Sequence, residues 1–341
     1  MKKILVTGGA GYIGSHTVVE LVKAGYEPII MDNFDNSYPF VITRLEELTG
    51  QEIKFYNLSC NNYHDLSRFF REEKEIDGVI HFAAHKAVGE SVQDPFKYYN
   101  NNVGGLLKLL ESMLQNDVKN IVFSSSCTVY GDPDEARVSE STPRKKAQSP
   151  YGNTKMICED ILSDFIASEN SFAGVFLRYF NPIGAHDSSR IGELPIGTPN
   201  NLVPYITQTA IGKRDQLTVF GDTYNTPDGS CIRDYIHVVD LAKAHVKALD
   251  FIQKNPAGKC EIFNLGVGKG VSVFEVVKAF ENTTNQKLNY KVGPIREGDV
   301  PAVFADPTKA EKELGWKAEK DINQALLDSW NWEKAIENEK F

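Results

Sequence analysis

Short apolar runs alternate with amphipathic stretches through the first half of the chain. Strands are expected at Lys3–Thr7, Glu27–Met31, Ile53–Tyr56, Gly78–Phe82 and Asn120–Ser124, each an apolar run bounded by turn residues. Between them, apolar positions at helical spacing predict helices near 12–24, 63–74 and 94–116. A further helix at about 151–168 and a strand at Gly174–Arg178 follow. Strands alternating with helices in this way read as a parallel sheet covered on both faces. After about residue 180 the pattern breaks, with Pro182, Pro195, Pro199 and Pro204 among glycines and asparagines. Beyond this loop-rich stretch the pattern predicts helices near 202–212, 238–253, 272–283, 307–314 and 321–336. Short strands are expected at Leu217–Phe220 and Ile232–His237. The reading is α/β: a doubly wound parallel sheet over residues 1–180 and a smaller C-terminal α/β lobe over 181–341. Elements are free to cross between the two.

Composition narrows the function classes. The net charge of −9 argues against a nucleic-acid partner, whose phosphates demand a basic face. No segment has the ~20 apolar residues of a membrane-spanning helix. The run MKKILVT is too short for a secretory signal and leads directly into a glycine turn. Five scattered cysteines, with no CxxC, predict reduced thiols in a cytoplasmic protein. No Cys/His cluster has metal-ligand spacing, and His85, His186, His237 and His245 read as ordinary polar or buried histidines, so no metal is expected.

Gly8, Gly11 and Gly14 stand in TGGAGYIG, directly after the first strand and opening a helix. Glycines let backbone N–H groups approach a pyrophosphate, and a helix N-terminus adds partial positive charge. About twenty residues on, the second strand ends at Asp32. A carboxylate there can accept hydrogen bonds from ribose hydroxyls and repels a 2′-phosphate, which favours NAD over NADP. Together these residues predict a Rossmann-type dinucleotide site.

YGNTK places Tyr151 and Lys155 one helical turn apart on one face. A nearby ammonium and the positive nicotinamide ring are expected to lower the phenol's pKa from its ordinary ~10 toward that of a usable base. Ser124, Ser125 and Ser126 end the fifth strand, where a parallel sheet presents its ligand crevice, and Ser126 can hydrogen-bond a reacting alcohol.

From Lys3 to about Trp330 the chain resembles the extended short-chain dehydrogenase/reductase superfamily and, within it, the UDP-glucose 4-epimerase family. The motifs that carry the resemblance are TGGAGYIGSH, HFAAHKAVGESV, YYNNNVGG, FSSSCTVYGD, SPYGNTK, LRYFNPIGAH, GTPNNLVPYI, IRDYIHVVDLA, FNLGVGKGVSV and REGDVPAVFAD. The resemblance implies inversion of C4 in a UDP-hexose through a transient 4-keto sugar, with NAD as resident cofactor. It implies Ser126, Tyr151 and Lys155 as catalytic residues. Around the cofactor it implies Tyr12 and Ile13 at the phosphate turn, and Asp32, Asn33, Phe34, Asp35, Asn36 and Ser37 around the adenosine ribose. Phe82, Ala83, Ala84, Lys86, Asn101 and Phe180 line the same site. Ser59, beside Cys60, stands where the family usually has an acidic residue against the adenine, so that contact is weaker.

For the UDP-sugar the resemblance implies Asn181, Asn201, Leu202, Thr218, Val219, Phe220, Arg233, Arg296, Asp299 and Val303, with Lys86, Ser126 and Tyr151 shared. Arg233 and Arg296 suit a diphosphate; the plainer alternative for Arg233 is a salt bridge to its neighbour Asp234. Phe220 can pack on uracil. The small Val303 leaves room at C2 for an N-acetyl group, so turnover of UDP-GlcNAc and UDP-GalNAc is expected as well. Cys127 and Thr128 stand where a nucleotide-sugar 4,6-dehydratase has its acidic pair, which argues against elimination of water. A non-catalytic NAD-sensing module, the alternative from another class, is disfavoured by the retention of both Tyr151 and Lys155. The resemblance also implies a homodimer, with helices around 94–116 and 151–168 packing as a bundle.

Overall fold

A computed structural model describes all residues except Pro256, Glu297, Asn338, Lys340 and Phe341. Strands β1 (Lys3–Thr7), β2 (Glu27–Asp32), β3 (Phe55–Asn57), β4 (Ile76–His81) and β5 (Asn120–Ser124) join strands Ala173–Tyr179 and Cys260–Leu265 in one sheet. The order is 260–265, 173–179, β5, β4, β1, β2, β3, and every pairing is parallel. The strands are apolar almost throughout because both faces are buried. Ile4, Val6 and Ile30 point toward helices α1 (Tyr12–Lys23) and Val238–Lys254, which pack on each other. Leu5, Ile29 and Met31 point the other way, toward the helices Tyr63–Glu72, Gly104–Gln115 and Pro150–Ser168. The chain leaves β1 for β2 on one side and β4 on the other, so a crevice opens between β1 and β4 at their C-terminal ends.

A second core, built from Ile183, Val203, Ile206, Leu217, Val219, Val276, Phe280, Leu326 and Trp330, belongs to the smaller lobe. The chain crosses between the layers: Cys260–Leu265 lies far beyond residue 180, yet it is the edge strand of the main sheet beside 173–179.

The structure corrects several element boundaries. The expected helix over 94–116 is three pieces: Pro95–Tyr98 capped by Asp94, a π-type turn at Tyr99–Val103, and Gly104–Gln115. Three successive asparagines in that turn leave the regular ladder, as at many functional sites. The expected strand Ile232–His237 divides at Asp234. Ile232–Arg233 pairs with strands 271–272 and 302–305, while Tyr235–His237 pairs with Asn181–Ile183. The cause is the buried Asp234 carboxylate, which accepts the amides of Val267, Gly268 and Ala305 at 2.8, 2.9 and 3.1 Å and so pins the change of sheet. The third strand begins two residues late, at Phe55. The helix near 307–314 shrinks to a turn at Ala310–Leu314 closed by left-handed Gly315. The helix Phe40–Thr49 goes unpredicted because Val41, Ile42 and Thr43 mask it.

Candidate active site

The glycine turn shows why each glycine is needed. A Cβ on Gly14 would lie 2.3 Å from the Gly8 carbonyl oxygen, and one on Gly8 would lie 2.8 Å from the Ala83 nitrogen. These two let helix α1 and the segment after β4 close on β1. Gly11 differs: a Cβ there meets only the Gly8 oxygen, at 3.2 Å, so its outer side stays open. Gly11 is also the N-cap of α1 with no side-chain cap, which leaves first-turn amides for an anion. Tyr12 turns inward and donates to the Gly184 carbonyl at 2.6 Å, tying the turn to the smaller lobe, and Ile13 packs on the core.

Asp32 ends β2 with a buried carboxylate that accepts Ala10 N (3.0 Å), Phe34 N (2.9 Å) and the Ser37 hydroxyl (2.9 Å). Burial raises its pKa and these three bonds oppose the rise. A carboxylate has about four acceptor sites, so one remains for a ribose hydroxyl. Phe34 adopts a left-handed conformation (φ 59°), and Asn33, Asp35 and Asn36 are exposed beside it. Ser59 is half-buried, its hydroxyl accepting Asn61 N at 3.2 Å. Cys60 is buried with its sulfur against Met31, so only its backbone can serve a ligand. Phe82, Ala83 and Ala84 continue from β4 as a half-buried wall. These features fit a dinucleotide: along the C-terminal edge of the sheet they run from the Asp32 acceptor at β2, through the open turn after β1, to the apolar wall after β4.

Ser126, Tyr151, Lys155 and Phe180 are all buried and gather at the C-terminal end of β5. Ser149 caps the helix Pro150–Ser168 by accepting Gly152 N, which sets Tyr151 in its first turn. The Ser126 hydroxyl, which accepts Thr128 N at 3.3 Å, is a neighbour of the Tyr151 hydroxyl. The Lys155 Nζ donates to the Ser124 carbonyl at 2.6 Å and lies 4.9 Å from the Phe123 ring centre. Burial lowers its pKa from 10.5 to about 8. The Tyr151 phenol is pushed well above its ordinary value, first by burial and then by neighbouring Tyr179; Ser126 only partly opposes this. Burial thus outweighs the protein's own charges at the phenol, and the expected lowering also needs the nicotinamide ring.

On the other side of the crevice, Lys86 pairs with Glu193 at 3.1 Å, and Asn201 Nδ2 donates to the same oxygen at 2.6 Å. Asn181 is half-buried on a strand beside Tyr235, and Leu202 opens the helix Leu202–Ala210. Thr218, Val219 and Phe220 lie on one strand: the Val219 side chain is in the core, and only Phe220 is well exposed. The Arg296 guanidinium sits 5.5 Å from the Phe220 ring centre. Arg296 grips Asp299 at 2.8 and 3.1 Å, and Arg233 approaches the same carboxylate at 3.8 Å. Arg233 is thus paired with Asp299, not with adjacent Asp234. Val303 is buried with Val129, Tyr130 and Phe180.

Sequence reasoning missed Glu193, which gathers Lys86 and Asn201, and Asn102. The latter holds both the amide and the carbonyl of His85 and reaches Thr154 at 3.1 Å. Nothing in the local sequence marks Glu193, whereas Asn102 adjoins the assigned Asn101, whose amide donates to it at 3.1 Å. Among the described residues no group of three His, Cys, Asp or Glu side chains could hold a metal, and no helix is long and apolar enough to cross a membrane.

A protein-family model described as GDP-mannose 4,6 dehydratase matches residues 5–328. The UDP-glucose 4-epimerase of Dictyostelium discoideum is 51% identical over 336 residues, covering 98% of this chain and 97% of its own length. The crystal structure of the Bifidobacterium longum UDP-glucose 4-epimerase in complex with NAD+ and UDP is 47% identical, with a TM-score of 0.95 over 99% of both chains. That of the Stenotrophomonas maltophila enzyme, with bound NAD and formylated UDP-arabinopyranose, is 43% identical, with a TM-score of 0.96 over 100% of both. Similarity of this extent, over the whole α/β fold and every element of the crevice, makes the chain a member of the UDP-glucose 4-epimerase family.

Proposed function

We propose that this chain inverts C4 of UDP-hexoses, interconverting UDP-galactose and UDP-glucose, with NAD held in the crevice between β1 and β4. The observation that carries the reading is the convergence of Ser126, Tyr151 and Lys155 at the end of β5, beside an open glycine turn and the Asp32 acceptor. Gly11, Asp32, Phe82, Ala83, Lys86 and Phe180 would hold the cofactor. Bound there, NAD supplies reversible acceptance of a hydride from the sugar C4.

The chain's own residues do the rest. Tyr151 accepts the proton of the sugar 4-hydroxyl and later returns it to the opposite configuration. Ser126 hydrogen-bonds the same oxygen. Positioned proton transfer of this kind contributes roughly 10²–10⁴-fold. The buried phenol needs added positive charge to ionise, which the cationic ring of the bound cofactor brings. Arg233 and Arg296 leave Asp299 for the diphosphate, while Phe220 stays exposed for the base. Firm anchoring of the nucleotide with few contacts to the hexose lets the keto sugar turn over in place.

The small side chain of Val303, buried beside Phe180 and Val129, supports room at C2 and hence activity on UDP-GlcNAc and UDP-GalNAc. Val92, Phe96, Leu107 and Leu114 are exposed apolar side chains on the helices before residue 116, which supports a homodimer through those helices. Five free thiols suit the cytoplasm.

The test is to incubate purified protein, with no added NAD, with UDP-galactose. UDP-glucose is expected without net NADH, and Tyr151→Phe should lose about 100-fold or more. A 4-keto-6-deoxy product would establish a dehydratase instead.

A further inference from the structure

The end of β5 is tied to one face of the helix Pro150–Ser168 at three successive turns. Tyr151, Lys155 and Glu159 lie at i, i+4 and i+8 and share that face. Ser126 neighbours the Tyr151 hydroxyl, the Ser124 carbonyl accepts from Lys155, and the Ser125 hydroxyl donates to Glu159 Oε1 at 2.5 Å. The first two ties belong to the proposed chemistry. The third involves residues that no ligand can touch, since Ser125 is 0% exposed and Glu159 2%.

Glu159 carries more than this bond. It accepts from Arg178 Nε at 2.9 Å and Nη2 at 2.6 Å. Arg178 Nη1 donates to the Tyr130 hydroxyl at 3.1 Å, and that hydroxyl donates to Asn264 Oδ1 at 2.6 Å. The chain is therefore held on both sides of Ser126. Ser125, just before it, is held by Glu159; the turn Cys127–Tyr130, just after it, is held by Arg178 and Asn264.

A buried ion pair of this kind is weak evidence for stability, because desolvation largely offsets the attraction. What it does provide is a fixed direction. Reacting groups displaced by about 1 Å lose roughly 100-fold in rate.

We propose that Glu159 is a positioning residue for the reaction: through Ser125 it holds the strand end so that Ser126 and Tyr151 meet one substrate oxygen. This rests on the epimerase reading above. Glu159→Ala would leave the buried Arg178 without a counter-charge and unfold the core, so Ser125→Ala is the deciding variant. It removes one hydroxyl and leaves the Glu159–Arg178 pair whole.

Steady-state kinetics on UDP-galactose are measured alongside bound NAD and melting temperature. The expected result is kcat lower by about 10- to 100-fold, with KM within about twofold and bound NAD and melting temperature unchanged. Wild-type kcat in Ser125→Ala overturns the proposal. So does a fall in kcat that merely follows loss of NAD or of melting temperature, which would make the network a scaffold only. A wild-type protein that converts no UDP-hexose overturns the epimerase reading and this proposal with it; an active wild type with an unaffected Ser125→Ala overturns this proposal alone.

Discussion

Lys155 pays a folding cost that its replacement by methionine should relieve. Its pKa of about 8, against an ordinary 10.5, reflects burial. At ~1.36 kcal/mol per pH unit, that drop opposes folding by about 3 kcal/mol at pH 7, where the side chain is charged in both states. Methionine keeps the volume and discards the charge. The variant loses the bond to the Ser124 carbonyl, worth about 1.5–3 kcal/mol. Lys155→Met should therefore be at least as stable as the parent at pH 7 while turnover falls on the order of 10²–10⁴-fold. The pH dependence gives a sharper check. Between pH 8 and 10.5 the unfolded chain binds more protons at this site than the folded one, so the parent's stability rises with pH relative to the variant's. The penalty shrinks from about 3 kcal/mol at pH 7 to about 1 kcal/mol at pH 9.5. Urea denaturation of both proteins at the two pH values, without added dinucleotide, measures this. A Lys155→Met protein that loses more than about 2 kcal/mol at pH 7, or a stability difference that does not move between the two pH values, would refute the account of a strained ammonium.

Four further outcomes are expected. Gly14→Ala, whose Cβ would fall 2.3 Å from the Gly8 oxygen, should destabilise by about 3 kcal/mol or more. Gly11→Ala should keep its melting temperature and bind NAD more weakly by calorimetry. Val303→Tyr, a bulkier side chain beside Phe180, should cut turnover of UDP-GlcNAc about tenfold or more while UDP-galactose kinetics stay close to wild type; equal losses on both sugars would remove Val303 from the specificity argument. Phe96→Glu, at a position 80% exposed in the single chain, should shift the protein from dimer to monomer in sedimentation equilibrium, and an unchanged mass would place the interface elsewhere.

What could be read from the chain beforehand follows a physical division. β1, the glycine turn, Asp32 and the Tyr151–Lys155 pair are local features, each set by residues within a turn or a strand of one another, and their positions were legible. Sheet membership is not local. Cys260–Leu265 is an unremarkable apolar run until Ala173–Tyr179 offers it an edge, and Asp234 breaks a strand only because three amides from two distant segments converge on it. The same limit governs the site. YxxxK fixes the facing of two side chains but not which acceptor the ammonium finds, and here it finds the Ser124 carbonyl. Arg233 was legible as a cation suited to a diphosphate, yet its protein partner Asp299 was not, because that carboxylate lies 66 positions on. Charged partners in a buried site are selected by tertiary approach, since burial makes an unpaired charge costly whatever its distance along the chain. A glutamate such as Glu193 or Glu159 then becomes visible only when the fold brings its cations to it.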